Sequence, residues 1–266
     1  PQEYQQLLAE IDKSVGEAFT RLGAAKNPKA VRQAADALET AIESQRQTLA
    51  EVVPPPTVAD AHEALLDGLE GLGRSAADTE SAAGSGEVCL GSAAVARLSR
   101  DDAAEDLRSA TQVLATADPA QAYQVGSFVP KKTADTNRRL SNGKYLKRTR
   151  GGAGQLKIEN GGSDAVINVV LGNSKTPAIS VYVRGKGKFT VSGVRDGTYR
   201  IYMTSGKDWD PKAKAFARDC SFQRFEDTFQ FRTTSTQYTI WTITLTPVVG
   251  GNARTSDVDP STFPGS

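Results

Sequence analysis

Apolar side chains recur every third or fourth position in the first part of the chain and every second position after about residue 154, which predicts two parts of different kind. Tyr4, Leu7, Leu8, Ile11, Val15, Ala18, Phe19 and Leu22 line one face of a helix over residues 2–26. Asn27 then offers an N-cap oxygen and Pro28 occupies the first helical position, where a missing N–H is harmless. A second helix runs on through Val31, Ala35, Leu38, Ile42, Leu49 and Val52 or Val53, and stops at Pro54, Pro55 and Pro56. Thr57 can cap a third, with its seam through Val58, His62, Leu65, Leu69, Leu72 and Ala76. Gly68, Gly71 and Gly73 weaken that helix by ~1 kcal/mol each relative to Ala, but such small residues also let a neighbouring helix approach closely.

After the loop Ala83-Gly84-Ser85-Gly86, Val88, Leu90, Val95 and Leu98 predict a short apolar helix. Ser99-Arg100-Asp101-Asp102 supplies capping oxygens for a last segment with Leu107, Val113 and Leu114. The expectation is about four helices, the last whole or broken, in an antiparallel up-and-down bundle over residues 1–118.

From residue 119 to 153 the rhythm fails. Residues 131–150 hold Lys131, Lys132, Arg138, Arg139, Lys144, Lys147, Arg148 and Arg150 against the single acid Asp135, which reads as a basic linker or arm. Asn142-Gly143 is a hairpin-turn signal within it. Beyond Gly154, alternating β-branched and aromatic residues predict strands at 155–160, 165–172, 178–184, 188–192, 198–204, 219–223, 228–233 and 238–246. Many short strands at this spacing make a mostly antiparallel β-sandwich or small barrel over residues 154–249. Residues 207–218 interrupt the pattern as a long loop, and residues 250–266, rich in Gly, Ser, Asp and Pro, predict an extended tail.

Charge divides the same way. Residues 1–120 carry 10 Lys+Arg against 20 Asp+Glu, residues 121–266 carry 22 against 11, and the net +1 conceals the opposition. Attraction between the parts or between neighbouring molecules follows, with a basic surface open to an anionic polymer; the plain alternative is two solvated surfaces that differ. No stretch reaches the ~20 apolar residues of a membrane span. The chain opens on Pro1 instead of Met, which reads as processing of a precursor or as truncation.

Candidate chemistry is sparse. Two cysteines, Cys89 and Cys220, and one histidine, His62, cannot build a Cys-rich zinc site, so no metal or cofactor is expected. The cysteines are either two buried thiols or one disulfide, which requires an oxidising compartment. His62 on an apolar seam reads as a hydrogen-bonded core histidine, because no Gly-x-Ser-x-Gly, His-Glu-x-x-His or phosphate loop supplies a partner for catalysis. Asp208, Asp210, Asp219, Glu226 and Asp227 lie in or beside expected loops, where paired carboxylates could form a glycosidase pair or a Ca²⁺ site, the plain reading being turn chemistry and solubility. Trp209, between two acids, either stacks on a sugar or partner or covers the end of the core.

The run Gly187-Lys188-Phe189-Thr190-Val191-Ser192-Gly193-Val194-Arg195-Asp196-Gly197-Thr198-Tyr199-Arg200-Ile201-Tyr202 resembles the Phe-x-Val-x-Gly-Val-x-x-Gly-x-Tyr signature of carboxypeptidase-regulatory-like and prealbumin-like β-sandwiches. Physically the run is two strands joined by a tight corner, with Gly197 free to take positive φ and Tyr199 pointing into the core, and the resemblance implies a non-catalytic module. More broadly, Glu87-Val88-Cys89, Asp208-Trp209-Asp210, Arg218-Asp219-Cys220, Trp241-Thr242-Ile243-Thr244-Leu245 and Pro247-Val248-Val249-Gly250-Gly251-Asn252-Ala253 resemble uncharacterised actinobacterial secreted or lipid-anchored proteins. The resemblance implies export, which favours the disulfide.

The resulting expectation is an exported, non-enzymatic cell-surface or assembly protein, forming filaments if head-to-tail contacts do not close. Its partners would be further copies of itself, other surface proteins or an anionic cell-wall polymer, with no nucleic acid. A carbohydrate- or wall-binding module is the alternative, and a carboxylate hydrolase a minor one. The binding candidates are Trp209, Asp208, Asp210, Lys131, Lys132, Arg138, Arg139, Lys147 and Arg148, with Cys89 and Cys220 as the disulfide candidates.

Overall fold

The computed structural model describes residues 2–245 and 254–265 and divides into two compact units, Pro1–Thr136 and Asn137–Ser266. The boundary falls inside the stretch expected as a basic arm. Both units therefore take part of that stretch into their own structure.

Among the described residues the first unit holds five α-helices: α1 (Gln2–Gly23), α2 (Pro28–Ala50), α3 (Ala59–Gly84), α4 (Gly91–Arg100) and α5 (Asp102–Ala117). The count of about four is corrected to five, because the last expected helix is split at Asp101. This residue adopts an extended backbone and caps α5 by accepting the Ala103 N–H. Asn27 caps α2 as expected, accepting the Ala30 N–H at 2.8 Å. Thr57 does not cap α3. It lies in a 3-10 turn, Pro56–Val58, and donates to Asp118 instead.

The apolar seams read from the sequence form the core, with Leu8, Ile11, Val15, Leu38, Ile42, Leu65, Leu69 and Leu72 fully enclosed. The α3 glycines set helix spacing. A Cβ on Gly68 would lie 2.9 Å from Leu107 Cδ1 and one on Gly71 would lie 3.0 Å from Ala103 Cβ, so α5 packs directly onto the α3 backbone.

Residues after α5, expected as free linker, lie along this unit. Tyr123 is buried edge-on against Tyr4, Phe128 stacks on Phe19, and Asp12 accepts the N–H groups of Gly126 and Ser127. Arg108 donates to the Pro130 carbonyl and Thr133 N–H to Ser99 Oγ. Two isolated aromatics without helical period were enough to fasten a segment that the pattern marks as loop.

The second unit is a sandwich of two sheets. Its strands are β1 (Lys144–Arg148), β2 (Gly154–Glu159), β3 (Asp164–Leu171), β4 (Ile179–Val183), β5 (Lys188–Val194), β6 (Gly197–Asp210), β7 (Ala215–Phe225), β8 (Phe229–Phe231), β9 (Ile240–Thr244) and β10 (Thr255–Asp257). The larger sheet runs β1-β4-β3-β6-β7-β10, with β8 also on β6, and the smaller runs β5-β2-β9. Pairing is antiparallel except for β2 with β9.

Leu156, Ile158, Val191 and Ile243 of the small sheet meet Ile167, Val169, Val181, Ile201 and Phe231 of the large one across the core. The corner between β5 and β6 carries the chain from one sheet to the other, with Gly197 at φ +149° and Tyr199 buried. Asn142-Gly143 does turn the chain, but the strand it opens, β1, pairs with β4 and not with residues 138–140.

Two further expectations are revised. The loop over 207–218 is mostly a hairpin, since β6 runs to Asp210 and β7 starts at Ala215. The tail is docked where it is described: β10 pairs with β7, Phe263 packs edge-on against Tyr202 and Phe222, and Asn168 donates to the Pro264 carbonyl at 2.6 Å. Residues 246–253 and 266, including the Pro247-to-Ala253 run and the end of the last expected strand, lie outside the described residues.

Candidate functional site

A group of paired ionisable side chains lies on the outer face of the large sheet, where Val166, Tyr182, Trp209 and Phe216 form a second apolar cluster. β3 is buried on both faces, which is why its sequence runs apolar without alternation and begins at a buried acid, Asp164.

Residues 138–140 lie along this face. Arg138 gives its backbone N–H to Asp208 Oδ1 at 2.9 Å and its carbonyl accepts the Trp209 N–H at 2.9 Å, which fastens it beside β6. Its guanidinium forks onto Asp208 at 2.8 and 2.9 Å and reaches Asp210 at 3.1 Å. Arg139 forks onto Asp164 at 2.6 and 2.5 Å. The Tyr182 hydroxyl and the Gly185 N–H also donate to Asp164, so this carboxylate accepts four bonds.

The electrostatic consequences are opposite to those of an acid catalyst. Burial alone would push the Asp164 carboxyl up, but Arg139, the Gly185 N–H and Tyr182 hold it at about 2. Burial likewise opposes ionisation of Asp210, yet the Ala213 and Lys212 N–H groups and Arg138 bring it below the usual carboxylate range. Burial and the Asp164 charge raise the Tyr182 phenol well above its usual value. At neutral pH Asp164 and Asp210 are therefore ionised acceptors with no proton to give, whereas a glycosidase acid needs a raised pKa.

The binding candidates thus separate. Of the two readings of Trp209 the buried one fits and the binding one is corrected: it sits on strand β6, is 2% exposed and packs edge-on against Tyr182 and Phe216, so it has no free face for a sugar. Asp208 is also buried, and the pairing described above ties Asp208, Asp210, Arg138 and Arg139 into a structural network. Lys131, Lys132 and Lys147 are exposed and make no ion pair among the described residues. Arg148 lies over the Tyr145 ring at 4.2 Å. Of the other acids, Asp219 pairs with Lys207 at 2.8 Å, while Glu226 and Asp227 are exposed in the turn after β7.

Neither cysteine is free: Cys89 and Cys220 are both disulfide-bonded. Among the described residues, Asp36, Glu39 and Glu80 bring carboxylate oxygens within 4.8 Å of one another, with Arg32 paired to Glu80 at 2.9 Å as counter-charge. No helix among the described residues is long and apolar enough to cross a membrane.

His62 is a buried core residue, as its place on the α3 seam predicts. The Tyr4 hydroxyl meets its Nδ1 at 3.0 Å, and the Tyr4 ring is in turn flanked by Tyr123. Burial lowers the His62 pKa despite the nearby Glu63, and burial together with Tyr123 raises the Tyr4 phenol to about 12. A histidine depressed in the fold is neutral there and protonates more readily once unfolded. Its stabilising contribution is therefore complete above the unfolded value of ~6.5 and is lost as pH falls from there through the folded value. Because the chain has one histidine, urea midpoints should decline from pH 7.5 towards pH 5 in the wild type. A profile equally steep in His62→Gln would contradict this assignment.

In comparisons with known proteins, no family model, curated protein or solved structure matches this chain.

Proposed function

We propose that this chain is an exported, non-enzymatic surface or assembly protein acting through protein–protein contacts. The observation that carries the reading is the use of the interior ionisable groups. Asp164, Asp208 and Asp210 are occupied by Arg139 and Arg138, and His62 by Tyr4, so the groups best suited to acid–base work serve as internal fastenings. What remains for function is surface, and that surface is divided in charge between an acidic first part and a basic second part.

Oxidised cysteines accord with an oxidising compartment, where such bonds persist. Sedimentation of the full chain is expected to show species larger than the monomer at low salt, decreasing in size as salt screens the opposed charges. A monomer at both low and high salt would overturn the reading.

A further inference from the structure

The edges of the sandwich are not alike. β1 carries Lys144, Lys147 and Arg148, β10 carries Asp257 beside Arg254, and β8 is three residues long and followed by Arg232. The β5 edge begins at Lys188, and its carbonyls are capped: Asn142 Nδ2 donates to Lys188 O at 3.0 Å and the Gly152 N–H to Gly193 O at 3.2 Å. These are the devices by which sheet proteins prevent edge-to-edge pairing.

β9 has none of them. It reads Ile240-Trp241-Thr242-Ile243-Thr244 and lies within 21 consecutive uncharged residues, 233–253, in a chain that is 24% charged. Among the described residues it is the outer strand of its sheet and pairs with β2 alone. The Gln155 N–H donates to Thr239 O and the Leu245 N–H to Glu159 O, so in this parallel ladder the odd-numbered residues turn their backbone groups to β2. Those of Ile240, Thr242 and Thr244 therefore face the open edge, and all three residues are exposed, Ile240 at 46%.

Trp241 fixes the strand from behind, donating its indole N–H to Gln230 O at 2.9 Å and packing edge-on against Phe229. The edge is thereby held extended and presented, with Tyr238 and Ile240 exposed beside it.

We infer that β9 is a docking edge for β9 of a second copy of this chain, joined antiparallel about a two-fold axis at Thr242. The inference rests on the assembly reading above and names one surface for it. The occupant follows from self-complementarity. Antiparallel pairing centred on Thr242 sets Thr242 opposite its counterpart and Ile240 opposite Thr244 of the second copy, so no charge is buried and Thr–Thr and apolar contacts face each other. The two three-stranded sheets then become one of six strands, and the row of outward N–H and C=O groups is satisfied.

The test is sedimentation of the full chain at high salt, with Thr242→Lys and Thr242→Pro alongside and circular dichroism to verify that each variant is folded. Thr242→Lys changes an exposed side chain and leaves the core intact, whereas Pro removes an outward N–H, which an edge strand tolerates. The wild type should dimerise at high salt, because an uncharged contact is not screened, and both variants should associate at least about tenfold more weakly. Variants that associate as tightly as wild type, or assembly confined to low salt, would overturn β9 as the contact and leave the charge-driven reading standing. A wild type that is monomeric at every salt would overturn both.

Discussion

Replacing Asp164 by alanine should destabilise the β-unit by about 3 kcal/mol, the largest loss expected from any single polar side chain on the outer face of its large sheet. The carboxylate is the shared acceptor of the Arg139 guanidinium, the Tyr182 hydroxyl and the Gly185 N–H. Breaking a buried pair leaves the remaining group uncompensated, at a cost of ~3–5 kcal/mol for a fully enclosed pair. Arg139 is half-exposed and regains water once released, which lowers its share. Tyr182 is fully buried and cannot, so its unsatisfied hydroxyl adds ~1–3 kcal/mol.

Urea denaturation at neutral pH measures the loss. Asp164→Asn, which keeps one acceptor oxygen, should lose less. The pH dependence has a definite sign: a carboxyl held at about 2 in the fold stabilises fully above its unfolded value of ~3.9, and that contribution disappears as pH falls from there to about 2. Wild type and Asp164→Asn should therefore converge in stability at the acid end of that window. An alanine variant within 1 kcal/mol of wild type would show that the network stabilises far less than its geometry implies.

The second large effect is expected at a residue with no chemistry at all. A Cβ on Gly91 would lie 1.9 Å from the Leu22 carbonyl oxygen and 2.8 Å from the Gly23 carbonyl carbon, both backbone atoms that no rotamer change can move. The Gly91 N–H also donates to Ala25 O at 2.8 Å, so the start of α4 is stitched to the end of α1. Gly91→Ala must separate the two helices, and ~3 kcal/mol is expected, at the upper end of ordinary overpacking. Gly84→Ala provides the contrast. Nothing lies within 4 Å of its added Cβ, and the substitution should be neutral or stabilise by up to ~1 kcal/mol through the unfolded chain. Thermal denaturation of the two variants separates close backbone approach from simple helix propensity. Equal midpoints would refute the packing argument.

The comparison of these two glycines shows where sequence reading stops. Both fall in short-residue stretches around the expected loop after α3, and nothing in composition distinguishes the one pressed on a neighbouring backbone from the one facing solvent. Gly68 and Gly71 were more legible because they interrupt an otherwise regular helical seam, and a small residue on a buried face has a packing explanation. Trp209 illustrates the opposite difficulty. Flanking Asp and Pro residues mark a turn, whereas the chain continues as strand through Asp210 because Trp209 and Asp210 pair with Phe216 and Ala215 of β7. Arg138, 71 residues away from Trp209 in sequence, pairs both acids and accepts the Trp209 N–H. Its effect could not be read locally.

Arg138 and Arg139 belong to the same problem. In a run of eight basic residues they look like part of one electrostatic surface, and only the fold separates them from Lys131, Lys132 and Lys147. An isolated aromatic in a polar segment likewise carries no period. Tyr123, Phe128 and Phe263 each anchor a stretch expected to be extended, because one buried ring releases enough apolar surface to hold a short segment against its entropy.

By itself the sequence determined the division into a helical and a β part, nearly all the strands and helices, the capping at Asn27, the core position of His62 and the opposed charges. Those features depend on side-chain period, local capping and residue counts, all of which act within a few residues or over the whole chain. Only the tertiary structure decided which carboxylates are paired, that Trp209 is enclosed, which strand edge is left open among the described residues, and that residues 123–133 and 254–265 are docked. Each of these depends on contacts between residues distant in sequence, where a single side chain or a single N–H selects among alternatives that local pattern leaves equal in energy.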